Sequence, residues 1–94
     1  MKTHTQIHED TVRKLKALAH PMRLKLIEEL MKGECCVGEV QKCLSISQPN
    51  ASQHLKTLKD AGLIECRRER NKICYRVSND STIRFLKNIL REET

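Results

Sequence analysis

SQPNASQHLKTLKDAGLIECRRERNKICYRV, residues 47–77, reads as a helix, a glycine stop and an arginine-rich strand–turn–strand hairpin. Ser47 is a good N-cap, and Pro49 falls in the first turn, where its missing N–H costs nothing. The helix is expected to run to Ala61, with Gly62 as the residue that ends it. Leu63–Arg68 and Lys72–Val77 read as strands joined through Glu69-Arg70-Asn71, Asn71 being tolerant of a left-handed turn.

Within that helix Ala51, Leu55 and Leu58 recur at i, i+4 and i+7 and define a buried stripe. The opposite face centres on Gln53, with Pro49, Lys56 and Asp60 beside it and Asn50, Thr57 and Ser52 on its flanks. Amides pair with adenine edges, and lysine reaches guanine or phosphate. A solvated polar face is the plainer account of such a surface. The hairpin shifts the balance. Arg67, Arg68, Arg70, Lys72 and Arg76 stand there against Glu65 and Glu69. Guarding an edge strand needs only a lysine or two, whereas phosphate or minor-groove contact uses many cations. The candidate DNA contacts are therefore Ser47, Gln48, Asn50, Ser52, Gln53, Lys56, Arg67, Arg68, Arg70 and Lys72.

The remaining chain fits around this unit. Val12, Leu15, Leu18 and Ala19 predict a helix over 10–19, with residues 1–8 flexible. His20-Pro21 interrupts, and a second helix follows over Met22–Lys32, stopped by Gly33. Val37, Val40 and Leu44 mark a short third helix, Val37–Leu44. Asn79 or Asp80 caps a last helix over 80–92 that carries Ile83, Phe85, Leu86, Ile89 and Leu90. The order is ααααββα. That is a mainly α domain with a small β-hairpin, a winged helix-turn-helix, filling residues 1–94 as one unit.

The chain has 94 residues, a formal charge of +6 and five cysteines. A small basic domain suits a polyanion. With no Trp, one Tyr and one Phe, it lacks the aromatics of a membrane-surface helix or of a base-stacking single-strand binder. No apolar run reaches membrane-span length, and MKTHTQIHED lacks a signal peptide's apolar stretch, so a cytoplasmic protein is expected. There, cysteines serve as free thiols, metal ligands or redox sensors. No nucleophile–base pair, phosphate loop or paired carboxylates can be placed, so no enzyme is expected. The competing class is a winged-helix protein-interaction module. Val12, Leu15, Leu18 and Ala19, with Ile83, Leu86, Ile89 and Leu90, exceed what one small core covers. A homodimer through 10–19 and 80–92 is therefore expected.

LKALAHPMRLKLIEEL (15–30), SQPNASQHLKTLKDAGLI (47–64) and RRERNKICYRV (67–77) also resemble the arsenic-repressor/SmtB (ArsR/SmtB) family of bacterial winged-helix regulators. The resemblance covers about residues 12–77. It implies a homodimer joined by its first and last helices. It also implies a repressor that leaves double-stranded operator DNA when a metal or thiol-reactive signal binds. One metal site in the family has the form Glu-Leu-Cys-Val-Cys-Asp-Leu at the start of the third helix. This chain has Glu34-Cys35-Cys36-Val37-Gly38-Glu39-Val40. Cys36 matches the first thiol, Gly38 replaces the second, and Cys35 is additional. With a third ligand, Cys35 and Cys36 suit arsenite, Cd²⁺ or Cu(I). In some members N-terminal residues complete this site from the other subunit. His4 and His8, spaced i, i+4, would make a mixed set suited to Zn²⁺.

The family's last-helix zinc site is absent, since Asp80-Ser81-Thr82 has no histidine and no His or Cys follows Cys74. Cys43 lies two helical turns from Cys36, about 10.5 Å along the axis, too far to share an ion. Cys66 and Cys74 are nearly symmetric about Arg70. A three-residue loop would make them cross-strand neighbours about 5 Å apart, open to a wing disulfide under oxidation. The expected function is a repressor released by a soft metal ion or arsenite. A redox- or sulfide-responsive regulator is the alternative.

Overall fold

The computed structural model describes residues 2–91. In chain order its elements are α1 (Lys2–Leu18), α2 (Pro21–Lys32), β1 (Cys35–Cys36), α3 (Val37–Leu44), α4 (Gln48–Asp60), β2 (Ile64–Glu69), β3 (Lys72–Val77) and α5 (Asp80–Leu90). This is a mostly helical winged helix-turn-helix whose antiparallel sheet runs β1-β3-β2. Among the described residues no helix is long and apolar enough to cross a membrane.

Local chemistry accounts for most boundaries. His20 caps α2, its Nδ1 accepting from the Met22 amide at 3.1 Å. Arg23 Nε donates to the Ala17 carbonyl at 2.6 Å and closes the corner between α1 and α2. Cys36 precedes α3, and the Glu39 carboxylate accepts from the Cys36 amide at 2.7 Å. Ser45 ends α3 in the left-handed region at φ 54°. Ser47 caps α4, its hydroxyl accepting from the Asn50 amide. Gly62, at φ 84°, turns the chain into β2. Asn79 caps α5 through the Thr82 amide at 2.8 Å.

Three expectations change. The strand β1 was not anticipated: two residues are too short to show alternation, and pairing with β3 alone defines them. Helix α1 begins at Lys2 rather than at residue 10, so residues 2–8, expected to be flexible, belong to a helix. Residue 92 of the expected last helix lies outside the described residues. The hairpin closes with Glu69 opposite Lys72 across a two-residue Arg70-Asn71 loop, and Arg70, not Asn71, takes the positive φ, 59°. The shorter loop moves the register. Cys66 stands opposite Tyr75, and Cys74 opposite Arg67. Cys66 and Cys74 therefore lie on opposite faces of the sheet rather than side by side.

The core joins all the helices to the root of the hairpin. Leu26, Ile27, Leu55, Leu58, Leu63 and Leu86 are its fully enclosed large side chains. Ala51, Leu55 and Leu58 of α4 are all buried, as their spacing predicts. Leu86 and Leu18 also belong to this core, so neither can form the intermolecular face to which periodicity alone assigned them. Among the described residues the large apolar side chains left exposed are Val12, Leu15 and Ile89, at 46%, 44% and 42% exposure.

Replacing Leu55 with Ala should cost about 2–5 kcal/mol, because a cavity opens in the centre of this cluster. Ser47→Ala should cost about 1 kcal/mol through the lost cap. Urea unfolding of both variants checks the order, and a larger loss for Ser47→Ala would contradict this packing account.

Candidate nucleic-acid interface

The outward face of α4 is open. Pro49, Ser52, Gln53, Lys56, Thr57 and Asp60 line a shallow cleft of about 450 Å³. Gln48, Asn50, Ser52, Gln53 and Lys56 are exposed. Thr57 turns inward along the helix, its hydroxyl donating to the Gln53 carbonyl at 3.1 Å. Lys56 reaches Asp60 at 2.9 Å, an exposed i, i+4 pair. Such pairs are worth about 0–1 kcal/mol, so Lys56 is easily given up to a stronger anion. The Ser47 oxygen is occupied as a cap, but its O–H remains a donor.

The hairpin divides its cations into two groups. Arg67 grips Glu34 with two bonds, Nε at 2.6 Å and Nη2 at 3.2 Å, and also reaches Glu69. The same contact holds the Glu34 carboxyl below the usual carboxylate range, through the Arg67 hydrogen bond first. Arg76 pairs with its cross-strand neighbour Glu65 at 2.6 Å. Among the described residues Arg68, Arg70 and Lys72 have no acidic partner, and all three are exposed. Arg67, expected as a free wing cation, is thus the strut between β2 and the residue before β1. The sequence offered no signal for Glu34 as its partner, which lies 33 residues away.

His54 and Arg23 are a second feature that sequence reasoning missed. His54 lies on α4 between its buried and open faces. Its ring packs at 4.7 Å from that of His20, and Arg23 Nη1 approaches its Nδ1 at 3.4 Å. Because arginine only donates, His54 Nδ1 accepts and the ring is neutral in this arrangement. Burial, then the charges of His20 and Arg23, holds its pKa below the usual histidine value.

The cysteines are placed differently from the expectation. Cys36 is joined to Cys74 by a disulfide across β1 and β3. Cys35 lies on the opposite face of β1, beside Tyr75 and against the core. Consecutive strand residues point to opposite faces, so Cys35 and Cys36 do not converge on one ion here. Burial first, then Glu39, pushes the Cys35 thiol up. Cys66 shares the Tyr75 row from the other side. Cys43 is exposed, and a hydrogen bond with Glu29 raises its pKa. Among the described residues no group of three or more His, Cys, Asp or Glu side chains could hold a metal ion. The side chains of His4 and His8 lie outside the described part.

Residues 20–65 match the model of the bacterial regulatory protein arsR family. The biofilm growth-associated repressor of Agrobacterium fabrum is 46% identical over 72 residues, which cover 77% of this chain and 62% of that protein. The chain thus spans about three-fifths of that relative's length. In solved structures, the homodimeric winged helix-turn-helix DNA-binding domain of a possible ArsR-family regulator from Mycobacterium bovis superposes with a TM-score of 0.89. It is 28% identical, over 95% of this chain and 82% of that one. The transcriptional repressor BigR from Xylella fastidiosa gives 0.78 at 30% identity, over 98% and 97% of the two chains.

The depressed His54 pKa has a definite sign. The folded state resists the proton and the unfolded chain accepts it. This contribution to stability is therefore full above the unfolded value of about 6.5. It falls as the pH drops through that value, and the loss is complete below the folded pKa. His54→Gln keeps an acceptor for Arg23 and should flatten this acid-side decline. Urea midpoints followed from neutral to mildly acidic pH check it; an unchanged slope in the variant would remove His54 as the cause.

Proposed function

The chain belongs to the arsR family of bacterial regulatory proteins, and from that premise we propose that it is a dimeric repressor of transcription. It binds operator DNA in the cytoplasm, with α4 in the major groove and the β2–β3 hairpin on the flanking backbone. The observation that carries this reading is the division of α4. One side is fully buried through Ala51, Leu55 and Leu58, while the amide-bearing side around Gln53 is open and, among the described residues, without tertiary partners. The helix is rigid in its roll, as base-edge reading requires. The contacts proposed are Gln48, Asn50, Ser52, Gln53 and Lys56 from the helix, with Ser47 donating to phosphate. Arg68, Arg70 and Lys72 supply the wing.

The signal is proposed to be thiol-reactive. Soft metal ions and arsenite remain within that class, but they need Cys35 and Cys36 to converge. The Cys36–Cys74 bond supports the redox alternative, because it already joins one expected effector thiol to the hairpin.

Two outcomes follow. Gln53→Ala should lower discrimination between operator and random DNA by about 1–3 kcal/mol. Arg68→Ala should weaken all sequences alike and reduce the salt slope by about one unit. Arg76→Ala, already paired with Glu65, should move that slope less. Fluorescence anisotropy across salt concentrations separates the three; equal slopes for Arg68→Ala and Arg76→Ala would overturn the assignment of the wing.

The dimer face should lie at Val12, Leu15 and Ile89. Ile89→Glu is expected to yield a folded monomer by sedimentation, with circular dichroism unchanged, and to lose operator affinity. Leu86→Glu should instead unfold the chain, since that side chain is enclosed. A folded, dimeric Ile89→Glu protein would place the interface elsewhere.

A further inference from the structure

We propose that Cys36 and Cys74 form a thiol–disulfide exchange site, oxidised by an anionic low-molecular-weight disulfide and reduced by the matching thiol, and that the cross-linked state binds operator more tightly. The second half rests on the reading of the protein as a DNA-binding repressor.

Position comes first. Cys36 is at once the end of β1 and the cap of α3, and Cys74 is in β3, directly opposite it in register. Their sequence separation is 38, and the loop they close contains α3, α4, β2 and the hairpin tip. Every proposed DNA contact, from Ser47 to Lys72, lies inside that loop. Besides this bond and the packing of α3 on β3, the hairpin meets the segment before α3 through the two-residue pairing of β1 and the exposed Arg67–Glu34 pair. A covalent bond between the same two pieces therefore adds a restraint that weak contacts do not duplicate.

Access is asymmetric. Cys36 lines an open cleft of about 390 Å³ with Gly38, Glu39, Lys42 and Lys72. At Gly38 a side chain would meet nothing within 4 Å, so the cleft is unobstructed on that side. Cys74 is buried, at 5% exposure. A reagent reaches Cys36 first, and Lys42 and Lys72 favour one that carries negative charge. Cys35 faces the other side of the sheet beside Tyr75, and Cys66 is separated from Cys36 by β3. Neither can compete for Cys74.

The chemistry balances in two exchanges. The Cys36 thiolate attacks one sulfur of the external disulfide RSSR, forming a mixed disulfide and expelling RS⁻. The Cys74 thiolate then attacks the Cys36 sulfur, forming the Cys36–Cys74 bond and expelling the second RS⁻. The protein's two thiols are oxidised, RSSR is reduced to two RSH, and the two cysteine protons end on the departing thiolates. Excess thiol runs the sequence backwards. Cross-linking fastens β3 of the wing to the first turn of α3 before DNA arrives, so less ordering of the hairpin is left for the complex.

The test uses the full chain, glutathione disulfide or reduced glutathione, and a duplex selected from random DNA by the wild-type protein. Peptide mapping of the oxidised wild type should show the Cys36–Cys74 bond, and Cys74→Ser should retain one glutathione on Cys36. Oxidised wild type should bind the duplex about tenfold more tightly than reduced wild type, or about 1.4 kcal/mol. Cys36→Ser/Cys74→Ser should bind equally in both buffers, near the reduced value. Equal affinity of the two wild-type forms, or a response that survives in the double variant, would overturn the regulation. A bond mapped to Cys35 or Cys66, or one made by hydrogen peroxide but not by glutathione disulfide, would overturn the exchange site. Failure of every form to select any duplex would overturn the repressor reading and the tightening with it, while the trapped adduct still decides the exchange chemistry by itself.

Discussion

The roll of α4 about its own axis is the constraint on which the rest depends. Ala51, Leu55 and Leu58 have no exposed surface. Turning the helix by one residue, about 100°, would bring at least one leucine into water, at roughly 1.5–3 kcal/mol each. The roll is thus fixed by packing, and Gln53 faces outward as a consequence. The ends of the helix are fixed as well. Ser47 holds the first turn, and Gly62 directs the chain into β2 through the enclosed Leu63. Ser78 then ties the far end of the hairpin to the same corner, its amide bonding the Leu63 carbonyl and its hydroxyl the Gly62 carbonyl. The root of the wing inherits its position from α4.

Charge is distributed on that frame with a division of labour. Glu34, Glu65 and Glu69 hold Arg67 and Arg76 along the strands. Among the described residues Arg68, Arg70 and Lys72 are left unpaired at the distal half of the hairpin. Exposed ion pairs contribute little to stability, so the benefit of this arrangement is positional: it decides which cations extend toward a polyanion. Arg70 also occupies a positive φ, where a residue with a Cβ costs roughly 1–2 kcal/mol and two-residue hairpins usually use glycine. A long cation kept at a strained tip is consistent with a role that glycine could not fill.

Local signals were legible in the sequence, and register was not. The Ser47 cap, the Ala51/Leu55/Leu58 stripe, the Gly62 stop and the Asn79 cap each depend on residues within a turn or two. All appear where their chemistry predicts. The hairpin loop is one residue shorter than the sequence pattern suggests, and one residue of slip reverses every face. That single difference separated Cys66 from Cys74 and left Cys74 facing Cys36, a partner defined by the two-residue strand β1. Helical periodicity likewise cannot tell an inward-facing leucine from one that awaits a second subunit. Leu86 and Ile89 share one pattern, but the first is enclosed and the second open. The density of arginine in the wing was visible, whereas the partners that occupy Arg67 and Arg76 belong to the folded chain.

The same packing connects the two ends of the molecule. Arg23 donates to the Ala17 carbonyl on α1 and approaches His54 on α4. One guanidinium thus links the helix that carries Val12 and Leu15 to the helix that carries Gln53. A dimer reading two half-sites must hold its reading helices about one DNA turn apart, roughly 34 Å. That distance is set by the subunit interface, by the angle of α1 to α4, and by the roll of α4. Packing fixes the roll, and the Arg23 bridge fixes the angle at the α1–α2 corner. The bridge meets α4 at His54, midway along the helix and on the turn that carries Gln53, so the α1–α2 corner and the face proposed to read DNA share one packing contact.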